Sequence, residues 1–552
     1  MLIIENQERL AKIALEQPNK RLERLFRYVS DPFWLYTAAT AVVGHSGATT
    51  AGVDGVTKDT IGNLHNVAKQ LSSELKAGTY QPQAVKRVYV PKANGQLRPL
   101  GIPTLRDRVV QETLRMTLEP ITESHFLDCS TGFRPQRRTM DAIHLATFYM
   151  SNRVKMWWIV RGDIKGCFDH IPHDKLIGVI RQYTTCKKTV SLIRAFLKAG
   201  LCENGKISTP NCGIAQGGIL SGLLVNIYLH EMDKQWWQKY GSLTAGEKNY
   251  RRVKGLGNVQ YIRNADDFII LTNGQKQFAY ELRQEFGEFL KTKLGLELSL
   301  EKTIVTHADD GFDFLGFHLE RKFSQQSNKM ITLVTPSTEN ITKFKDKVRE
   351  MTSRERVGDD PVNKIRALNR FVIDWSSYYR HVNVSSTFND LKRFVNERVY
   401  LWLRYKHSNV SARESVRQYV LKNYKRKHPQ WGYTWQVYGT SLRPMWATKI
   451  KRYRIKWPKP RNPYLSYGSG SLIYKDESPI LQHVWNGSSP QGAYAIARMQ
   501  RLEMVGNKCE RCASTDQLHA HHVIAKSKGG KHTVGNLVIL CQQCHKQVHK
   551  SQ

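Results

Sequence analysis

The 552-residue chain has few acidic residues and no long apolar run. Runs such as Phe268–Leu271 are far shorter than the ~20 apolar residues that a membrane-spanning helix needs. The first residues, MLIIENQERLAKIALEQ, place acidic side chains where a signal peptide has basic ones, and no cleavage-site pattern follows. We therefore expect a soluble protein that is not secreted and has no membrane partner.

The cysteines lack the pattern of a disulfide framework. Five of the nine are scattered over the first 212 residues, and an odd number argues against such a framework. The other four form two Cys-x-x-Cys pairs, a spacing typical of zinc sites: Cys509, Cys512, Cys541 and Cys544. This usage predicts a reducing compartment, namely the cytoplasm or nucleoid of a bacterium or the matrix or stroma of an organelle.

The shortage of acidic residues leaves a large positive charge. There are 84 lysines and arginines against 47 aspartates and glutamates, a formal net charge of +37. Residues 341–460 concentrate this excess, with 28 basic and 9 acidic side chains, and aromatic residues alternate with the basic ones. A surface that neutralises phosphates and stacks bases uses both residue types, so we expect a nucleic-acid partner rather than an anionic membrane.

Length and local patterns indicate several domains of the α+β class. Residues 1–84 place apolar side chains at helical spacing, and residues 85–335 alternate strand-like runs with helical stretches. Residues 336–410 are basic, aromatic-rich and helical, a character that we expect to continue to about residue 459. Residues 411–485 include a stretch rich in proline, glycine and serine, and residues 486–552 contain the cysteine pairs and most of the clustered histidines.

Three aspartates are placed beside apolar strands in a way that favours a metal site. Asp163 follows the apolar run WWIV, while Asp266 and Asp267 lie between the two strand-like halves of VQYIRNADDFIILT. Two acids at a hairpin turn, beside a strand that ends in a third, can converge where divalent cations offset their repulsion. Two Mg²⁺ ions about 3.5–4 Å apart can activate an attacking 3′-hydroxyl and stabilise a leaving pyrophosphate. The alternative is that Asp-Asp at a turn is ordinary turn chemistry.

Seven sequence blocks between residues 85 and 317 carry a resemblance to a known family. In order they are KRVYVPKANGQLRPLGIPTLRDRVVQ, STGFRPQRRTMDAI, RGDIKGCFDHIPH, GIAQGGILSGLLVNIYLHEMD, YIRNADDFIIL, LSLEKTIV and FDFLGF. They resemble the polymerase blocks of the reverse transcriptases encoded by group II introns. The resemblance implies a right-hand polymerase, with fingers and palm in residues 85–335, that uses dNTP substrates to copy RNA into DNA.

The same resemblance implies roles for individual polymerase residues. Asp163 and Asp266 would hold the two Mg²⁺ ions, assisted by the backbone carbonyl of Ile164 and by Asp267. Phe168 would crowd a ribose 2′-hydroxyl and so select deoxynucleotides, unless it is simply a core phenylalanine. Gln216 would contact the incoming nucleotide, and Lys92 and Arg98 would grip its triphosphate. Lys302 would assist the leaving group.

The chain departs from the family pattern at several positions. Asn264 stands where tyrosine usually precedes Ala-Asp-Asp, Ile214-Ala215 where Thr-Pro is usual, and Gly222 where proline is usual. The family's tyrosine packs near the primer end, so Asn264 removes a ring contact but no metal ligand. We expect polymerase activity that is retained but weakened.

The segment that follows the polymerase blocks extends the resemblance. LNRFVIDWSSYYRHV, within residues 336–410, is similar to the family's thumb and maturase segment, which is α-helical. Its Trp375, Tyr378, Tyr379 and Arg380 fall mostly on one helical face, and a helix–helix core explains Trp375 and Tyr379 equally well. The resemblance implies that this domain and the N-terminal helices bind the protein's own intron RNA as a ribonucleoprotein. Residues 411–485 match the family's DNA-binding region by position and charge alone.

The C-terminal tail contains a second set of motifs. Its two cysteine pairs, with 28 residues between them, can enclose one tetrahedral Zn²⁺ and staple a domain too small to fold on its apolar core. His521-His522, Asn536 and His545-x-x-x-His549 resemble the motif of HNH endonucleases, a ββα fold. By that resemblance His521, His545 and His549 bind a divalent cation, His522 is the general base, and Asn536 holds the loop that orients it. The alternative is a zinc ribbon that merely binds nucleic acid.

Together these motifs imply a group II intron-encoded multifunctional protein. It would bind the unspliced intron RNA, assist its splicing, nick one strand of a double-stranded DNA target, and extend the cleaved 3′ end by copying the intron. One alternative is a reverse transcriptase of another lineage, such as a retron or CRISPR-linked enzyme; the Trp-x-x-Tyr-Tyr-Arg segment and the histidine-rich tail argue against it. The other is a splicing factor whose polymerase has decayed; the intact Asp163, Asp266 and Asp267 count against it.

Overall fold

A computed structural model describes most of the first 406 residues and parts of the remainder: 3–91, 97–299, 301–325, 327–406, 411, 434–437, 439–455, 457, 462–465, 498, 501–502, 505–506, 508–515, 518–523 and 536–550. The helices in these residues are α1 (Ile3–Glu16), α2 (Phe26–Val29), α3 (Pro32–Gly44), α4 (Leu64–Ala77), α5 (Leu105–Glu123), α6 (Thr139–Met150), α7 (Cys167–His170), α8 (His173–Ile180), α9 (Lys187–Lys198), α10 (Ser221–Trp236), α11 (Ala245–Val253), α12 (Lys276–Phe289), α13 (Thr338–Met351), α14 (Pro361–Tyr379), α15 (Ser385–Lys406) and α16 (Gln542–Lys550). The strands are β1 (Val85–Pro91), β2 (Leu97–Ile102), β3 (Trp158–Asp163), β4 (Leu201–Glu203), β5 (Lys206–Ser208), β6 (Val259–Asn264), β7 (Asp267–Thr272), β8 (Ile304–His307), β9 (Phe312–Phe314), β10 (Phe317–Ser324), β11 (Lys329–Pro336), β12 (Gln436–Val437), β13 (Thr440–Ser441), β14 (Leu518–His522) and β15 (Leu537–Cys541). The mixed α and β composition expected from the sequence is confirmed.

The N-terminal helices α1 to α4 pack around α5, as the apolar spacing of this region predicts. Asp31 caps α3, because its carboxylate accepts hydrogen bonds from the backbone N–H groups of Phe33 and Trp34. The helix α4 ends at Gly78, whose φ of 77° is a left-handed conformation that glycine adopts without strain. Gln7 of α1 is fully buried and donates a 2.8 Å hydrogen bond to the Met116 carbonyl in α5. The extension is therefore part of the main body.

A four-stranded antiparallel sheet, ordered β6-β7-β3-β8, forms the centre of the body; we call it the central sheet. Its alternate residues enter two different cores. Val160 and Ile270 pack with the N-terminal helices and α10, whereas Ile159 and Ile269 pack with β9 to β11 and helices α13 to α15. Because both faces are covered, its strands read in the sequence as continuous apolar runs.

A second sheet, ordered β2-β1-β4-β5, contains the hairpin that the sequence predicts between residues 85 and 102. Its turn, which includes Lys92, lies outside the described residues. The strand β2 contacts the loop before α10, since the Gly101 N–H donates to the Gln216 carbonyl at 2.6 Å. This contact places the glycine-rich loop of the fourth sequence block against the hairpin.

The helices α13, α14 and α15 share a core with the three-stranded sheet β11-β10-β9. Trp375 and Tyr379 lie in this core, with ring centroids 4.4 Å apart, and Tyr379 is 4% exposed. The helix–helix core therefore explains these two side chains. Tyr378 is 42% exposed and remains available for other contacts.

The described residues between 434 and 465 differ from the expectation of a helix that continues to about residue 459. They form the two-residue strands β12 and β13 and short 3₁₀ turns, and they run along the body as an extended segment. Its polar side chains bond to distant elements: Thr448 to Ser376 of α14 at 2.7 Å, and Tyr453 to Asp141 of α6 at 2.8 Å. Tyr464 is fully buried near α1 and α5. Side chains of this segment pack against the body, and the spacing of residues along the sequence does not predict such packing.

The described part of the tail is an antiparallel hairpin, β14 and β15, followed by α16. Ala520, Leu537 and Ile539 form its small apolar core. The order of elements is the ββα order that the sequence predicts. Among the described residues, no helix has the length and apolarity to cross a membrane.

Candidate active sites

The central sheet brings three aspartates to one edge. Asp163 ends β3 and lies directly opposite Asp267, the first residue of β7, in the antiparallel register. Asp266 lies in the two-residue turn that joins β6 to β7, where Ala265 has a φ of 58°. A hairpin with two acids at its turn beside a strand that ends in a third is therefore present.

The electrostatics of this edge reflect three crowded carboxylates. Restricted hydration and then the charge of Asp163 raise the pKa of Asp266 above its usual range. Restricted hydration and then the charges of Asp266 and Asp163 raise the pKa of Asp267 to about 6. The residue is nevertheless exposed to solvent on its other side. A group of hard oxygen donors that repel one another suits Mg²⁺, because the cation removes the repulsion.

Lys302 supplies a positive charge to this edge. Its ammonium nitrogen lies 2.7 Å from Asp163 Oδ2, and this hydrogen bond raises the pKa of Lys302. The lysine is brought there by the segment after α12, since the Ser299 N–H donates to the Asp163 carbonyl at 2.8 Å and Ile164 forms a β-bridge with Leu298. Within the described part of the chain, the three carboxylates do not approach one another within 4.8 Å as a set. One oxygen of the Asp163 carboxylate is instead paired with the Lys302 ammonium group.

A buried ionic network, not recognised from the sequence, supports the turn that bears Asp266. Arg263 is fully buried and pairs with Asp233 of α10 at 2.6 Å. Although burial alone would raise it, the Arg263 guanidinium lowers the pKa of Asp233 to about 2. Arg263 Nη1 also donates to the Ala265 carbonyl and to Asn226 Oδ1, both at 2.9 Å. An arginine inside an apolar strand is the signal that a buried acid must lie nearby, but the sequence does not say which one.

The described residues among those predicted to contact a nucleotide lie on elements near Asp163 and on the hairpin and loop beside them. Phe168 lies in α7 just beyond Asp163, half-buried, with its carbonyl bonded to the Ile214 N–H at 2.6 Å. Gln216 lies in the loop held against β2, where Gly217 has a φ of 111° and its missing side chain lets the Gly101 carbonyl approach. Arg98 is exposed on β2 and close enough to Asp266 for its charge to lower that residue's pKa. Lys92 lies outside the described residues.

Asn264, the departure before the aspartate pair, contacts the loop that contains Thr131 and Gly132. Its Nδ2 donates a 3.0 Å hydrogen bond to Thr131 Oγ1, and the Gly132 backbone packs against it. The Asn264 side chain is half-buried. The departure therefore changes the wall of the cleft and leaves the three aspartates in place.

We expect Asn264→Tyr to increase primer extension roughly two- to tenfold, the size of one aromatic contact with a primer terminus. The Mg²⁺ concentration for half-maximal rate should not change, because residue 264 bears no metal ligand. Steady-state extension of a primed RNA template measures both quantities. An unchanged rate, with Asn264→Ala equally active, would show that this position does not limit synthesis.

Four cysteines of the tail form a compact group. Their sulfur atoms all lie within 4.8 Å of one another, and the Cys512 and Cys541 sulfurs are 3.5 Å apart. A tetrahedral Zn²⁺ with bonds of about 2.3 Å needs sulfurs about 3.8 Å apart, so the group fits this ion. Against the raising effect of burial, backbone N–H groups lower the pKa of Cys509 to about 6, whereas burial and the neighbouring thiols raise the pKa of Cys544 to about 12. The four thiols therefore differ in how readily they form the thiolate that zinc requires.

Removal of zinc should unfold the tail and leave the polymerase body folded. The tail has a core of only a few apolar residues, so metal binding and folding should be coupled. We expect Cys541→Ser to lower the bound zinc from about one ion per chain to none. It should also make the tail sensitive to limited proteolysis, while primer extension stays within about twofold because the body keeps its own core. Cys202→Ser, in the body, is the matched control and should retain the zinc.

The histidines of the tail are only partly brought together. His519 and His521 face α16, with ring centroids 5.5 and 5.2 Å from that of His545. His522 lies on the opposite face of β14, because side chains alternate along a strand. The Asn536 carbonyl accepts a hydrogen bond from the Val523 N–H at 2.9 Å, which closes the loop after His522. The side chain of His549 lies outside the described part. The contact of His519 with His545 is one that the sequence did not predict.

Comparison with protein-family models gives three matches along the chain. Residues 90–319 match the model described as reverse transcriptase (RNA-dependent DNA polymerase). Residues 341–420 match the group II intron maturase-specific domain, and residues 509–551 match HNH endonuclease. The maturase match argues against a reverse transcriptase of another lineage.

Curated relatives agree with these matches. The chain is 36% identical to protein YkfC of Escherichia coli strain K12 over 357 residues, which are 61% of this chain and 93% of that protein. It is 28% identical to the group II intron-encoded protein LtrA of Lactococcus lactis subsp. cremoris over 622 aligned positions, which cover 98% of each. A yeast protein described as putative COX1/OXI3 intron 2 protein is 28% identical over 54% of this chain and 39% of its own length.

Three domains in this order, with a likeness to LtrA over nearly the whole chain, identify a specific protein class. The reverse transcriptase and HNH matches give the chain two enzymatic activities, and the maturase match links both to a group II intron. The chain belongs to the group II intron-encoded proteins, with reverse transcriptase, maturase and HNH endonuclease domains.

Proposed function

We propose that Asp163 and Asp266 hold two Mg²⁺ ions, that the Ile164 carbonyl and Asp267 assist, and that this edge joins nucleotides. The observation that carries the proposal is the pairing of Asp163 with Asp267 across β3 and β7, beside a turn that bears Asp266. Magnesium at this edge would lower the pKa of the primer 3′-hydroxyl and offset charge on the triphosphate. The raised pKa values of Asp266 and Asp267 support a cation there, because a cation would offset the restricted hydration of these carboxylates and their mutual repulsion.

Basic side chains around the edge would bind and orient the triphosphate. Arg98 reaches in from β2, Lys92 would act from the turn beside it, and Gln216 would contact the nucleotide from the glycine-rich loop. Lys302 donates a hydrogen bond to Asp163. When a nucleotide binds, Lys302 would release Asp163 and donate to the leaving pyrophosphate. Phe168 would exclude the ribose 2′-hydroxyl, a role for which its half-buried position near the start of α7 is suited.

We assign the fingers and palm to residues 85–335, the thumb and maturase domain to 336–410, and a DNA-binding region and linker to 411–485. The N-terminal extension of residues 1–84 and the maturase domain would bind the protein's own intron RNA, because the maturase match implies an RNA partner. The extended segment up to Leu465 packs against the body, so DNA contacts in this region would come from its exposed face.

The tail, residues 486–552, would nick one strand of a double-stranded DNA target. Zn²⁺ on the four cysteines would hold the fold, and His521, His545 and His549 would bind a divalent cation that stabilises the scissile phosphate. His522 would take the proton from the attacking water, and Asn536 would hold its loop. The polymerase would then extend the cleaved 3′ end by copying the intron RNA.

Coupled cleavage and copying can be tested on one labelled DNA duplex with its target site. The full-length protein, in complex with its intron RNA, Mg²⁺ and dNTPs, is expected to produce a nick and then a longer product that starts at that nick. Omission of the dNTPs should leave the nick alone. A nick without extension in the complete reaction, at any dNTP concentration, would refute the proposed polymerase role.

A further inference from the structure

Phe133 is an exposed aromatic side chain beside Phe168, and no role above involves it. Its side chain is 58% exposed, although large apolar residues are usually covered. The ring centroids of Phe133 and Phe168 are 6.3 Å apart, and the ring planes meet at 83°. This is the edge-to-face geometry that aromatic pairs prefer.

The backbone at Phe133 is held in an unusual conformation. Its φ of 52° is left-handed, which bulky residues rarely adopt. On one side, Asn226 Nδ2 donates to the Gly132 carbonyl at 2.7 Å. On the other, the buried Arg134 pairs with Glu123 and donates to backbone carbonyls. Strain of this kind persists where the surroundings fix the chain, and it clusters at functional sites.

Gly222 leaves the space in which the Phe133 ring lies. A Cβ at residue 222 would come within 2.8 Å of Phe133 Cγ and 3.0 Å of its Cδ1. Gly222 is in the first turn of α10, where alanine fits the backbone equally well. The missing side chain, rather than the freedom of the glycine backbone, is therefore what this position provides.

Phe168 has little lateral support of its own. It belongs to a helix of only four residues, and its ring is half-buried against the core. A side chain that discriminates by steric exclusion must not yield when a 2′-hydroxyl presses on it. Phe133 is exposed and does not belong to that core, so its ring is a neighbour of Phe168 from outside the core.

We propose that Phe133 is a positioning residue for sugar selection, which braces the Phe168 ring against the incoming nucleotide, and that Gly222 fixes where Phe133 lies. The inference rests on the proposed role of Phe168. It links a rigid loop, fixed by Asn226 and Arg134, to the choice between deoxynucleotides and ribonucleotides.

The test compares incorporation of a dNTP and of the matching rNTP by the full-length protein on a primed RNA template. The readout is the ratio of kcat/KM for the two substrates. We expect Phe133→Ala to lower this ratio roughly three- to tenfold, the contribution of one edge-to-face contact, with little change in kcat for the dNTP. Phe133→Tyr should keep the ratio, and Gly222→Ala should lower it by displacing the ring. Phe323→Ala, which removes a similarly exposed phenylalanine on β10, is the matched control and should have no effect.

A double variant separates this inference from the role of Phe168. If Phe133 acts through Phe168, then Phe133→Ala should add nothing in a Phe168→Ala background. If Phe168→Ala lowers the ratio and Phe133→Ala leaves it unchanged, the bracing role is wrong and the proposed role of Phe168 stands. If Phe168→Ala itself leaves the ratio unchanged, both fall together.

Discussion

Replacement of Asp266 with alanine is expected to lower the rate of DNA synthesis by about a thousandfold or more, equivalent to at least about 4 kcal/mol of barrier. The carboxylate lies in the turn opposite Asp163 and would hold the metal that activates the primer hydroxyl. Asp266→Asn, which keeps the size but not the charge, should lose nearly as much. Single-nucleotide extension on an RNA template measures the loss.

Splicing of the intron RNA should survive the same substitution, because the proposed RNA contacts lie on the N-terminal extension and the maturase domain rather than at this edge. The matched control is Asp310→Ala, which removes an exposed acid just after β8, at the opposite end of the central sheet. It should affect neither reaction. An equal loss of synthesis and splicing in Asp266→Ala would mean that the residue supports the fold and is not a metal ligand.

Replacement of His522 with alanine is expected to reduce cleavage of the target strand by about 10²- to 10⁴-fold, the usual contribution of a general base. Insertion of intron RNA into the other strand, a step that we propose is driven by the RNA itself, should remain measurable. The tail should stay folded, because His522 lies on the face of β14 away from α16 and does not belong to the cluster of four cysteines. Cleavage of a labelled duplex, with the zinc content of each variant, gives the measurement.

His519→Ala is the comparison within the same strand. Its ring contacts His545 but belongs to no predicted ligand set, so its loss should cost about tenfold or less. If His522→Ala cleaves normally while Cys541→Ser does not, the tail is a zinc ribbon that binds DNA and the cleavage site lies elsewhere. The two variants therefore distinguish the nuclease from the alternative that the sequence left open.

The geometry of the polymerase edge was largely predictable from the sequence. The apolar runs around Asp266 and Asp267 predict a hairpin, and the strand before Asp163 is equally apolar. Neighbouring strands of one sheet would therefore place the three aspartates close together. Where the carboxylates point was not predictable. Lys302, a residue distant in the sequence, takes one oxygen of Asp163, because a nearby ammonium offers the charge compensation that the acids need.

The segment after α15 shows where local reasoning failed. Its basic and aromatic residues predicted a continued helix, yet Tyr453 and Tyr464 bond to acids on α6 and α5, and the described residues of the segment form two-residue strands and short turns. The side chains of this segment are spaced to meet the helices that they pack against, so they do not repeat with a helical period. The composition of the segment could therefore be read from the sequence, but its conformation could not.

The sequence by itself determined the reaction class, because its short local motifs, read in order along the chain, resemble those of known families and do not depend on how distant elements pack. The order of the polymerase blocks, the paired cysteines and the clustered histidines were sufficient for that. Only the tertiary structure decided which distant side chains meet, as in the pairs Arg263 with Asp233 and Phe133 with Gly222. Local periodicity specifies an element and its buried face, whereas the partner of that face depends on how all the elements pack together.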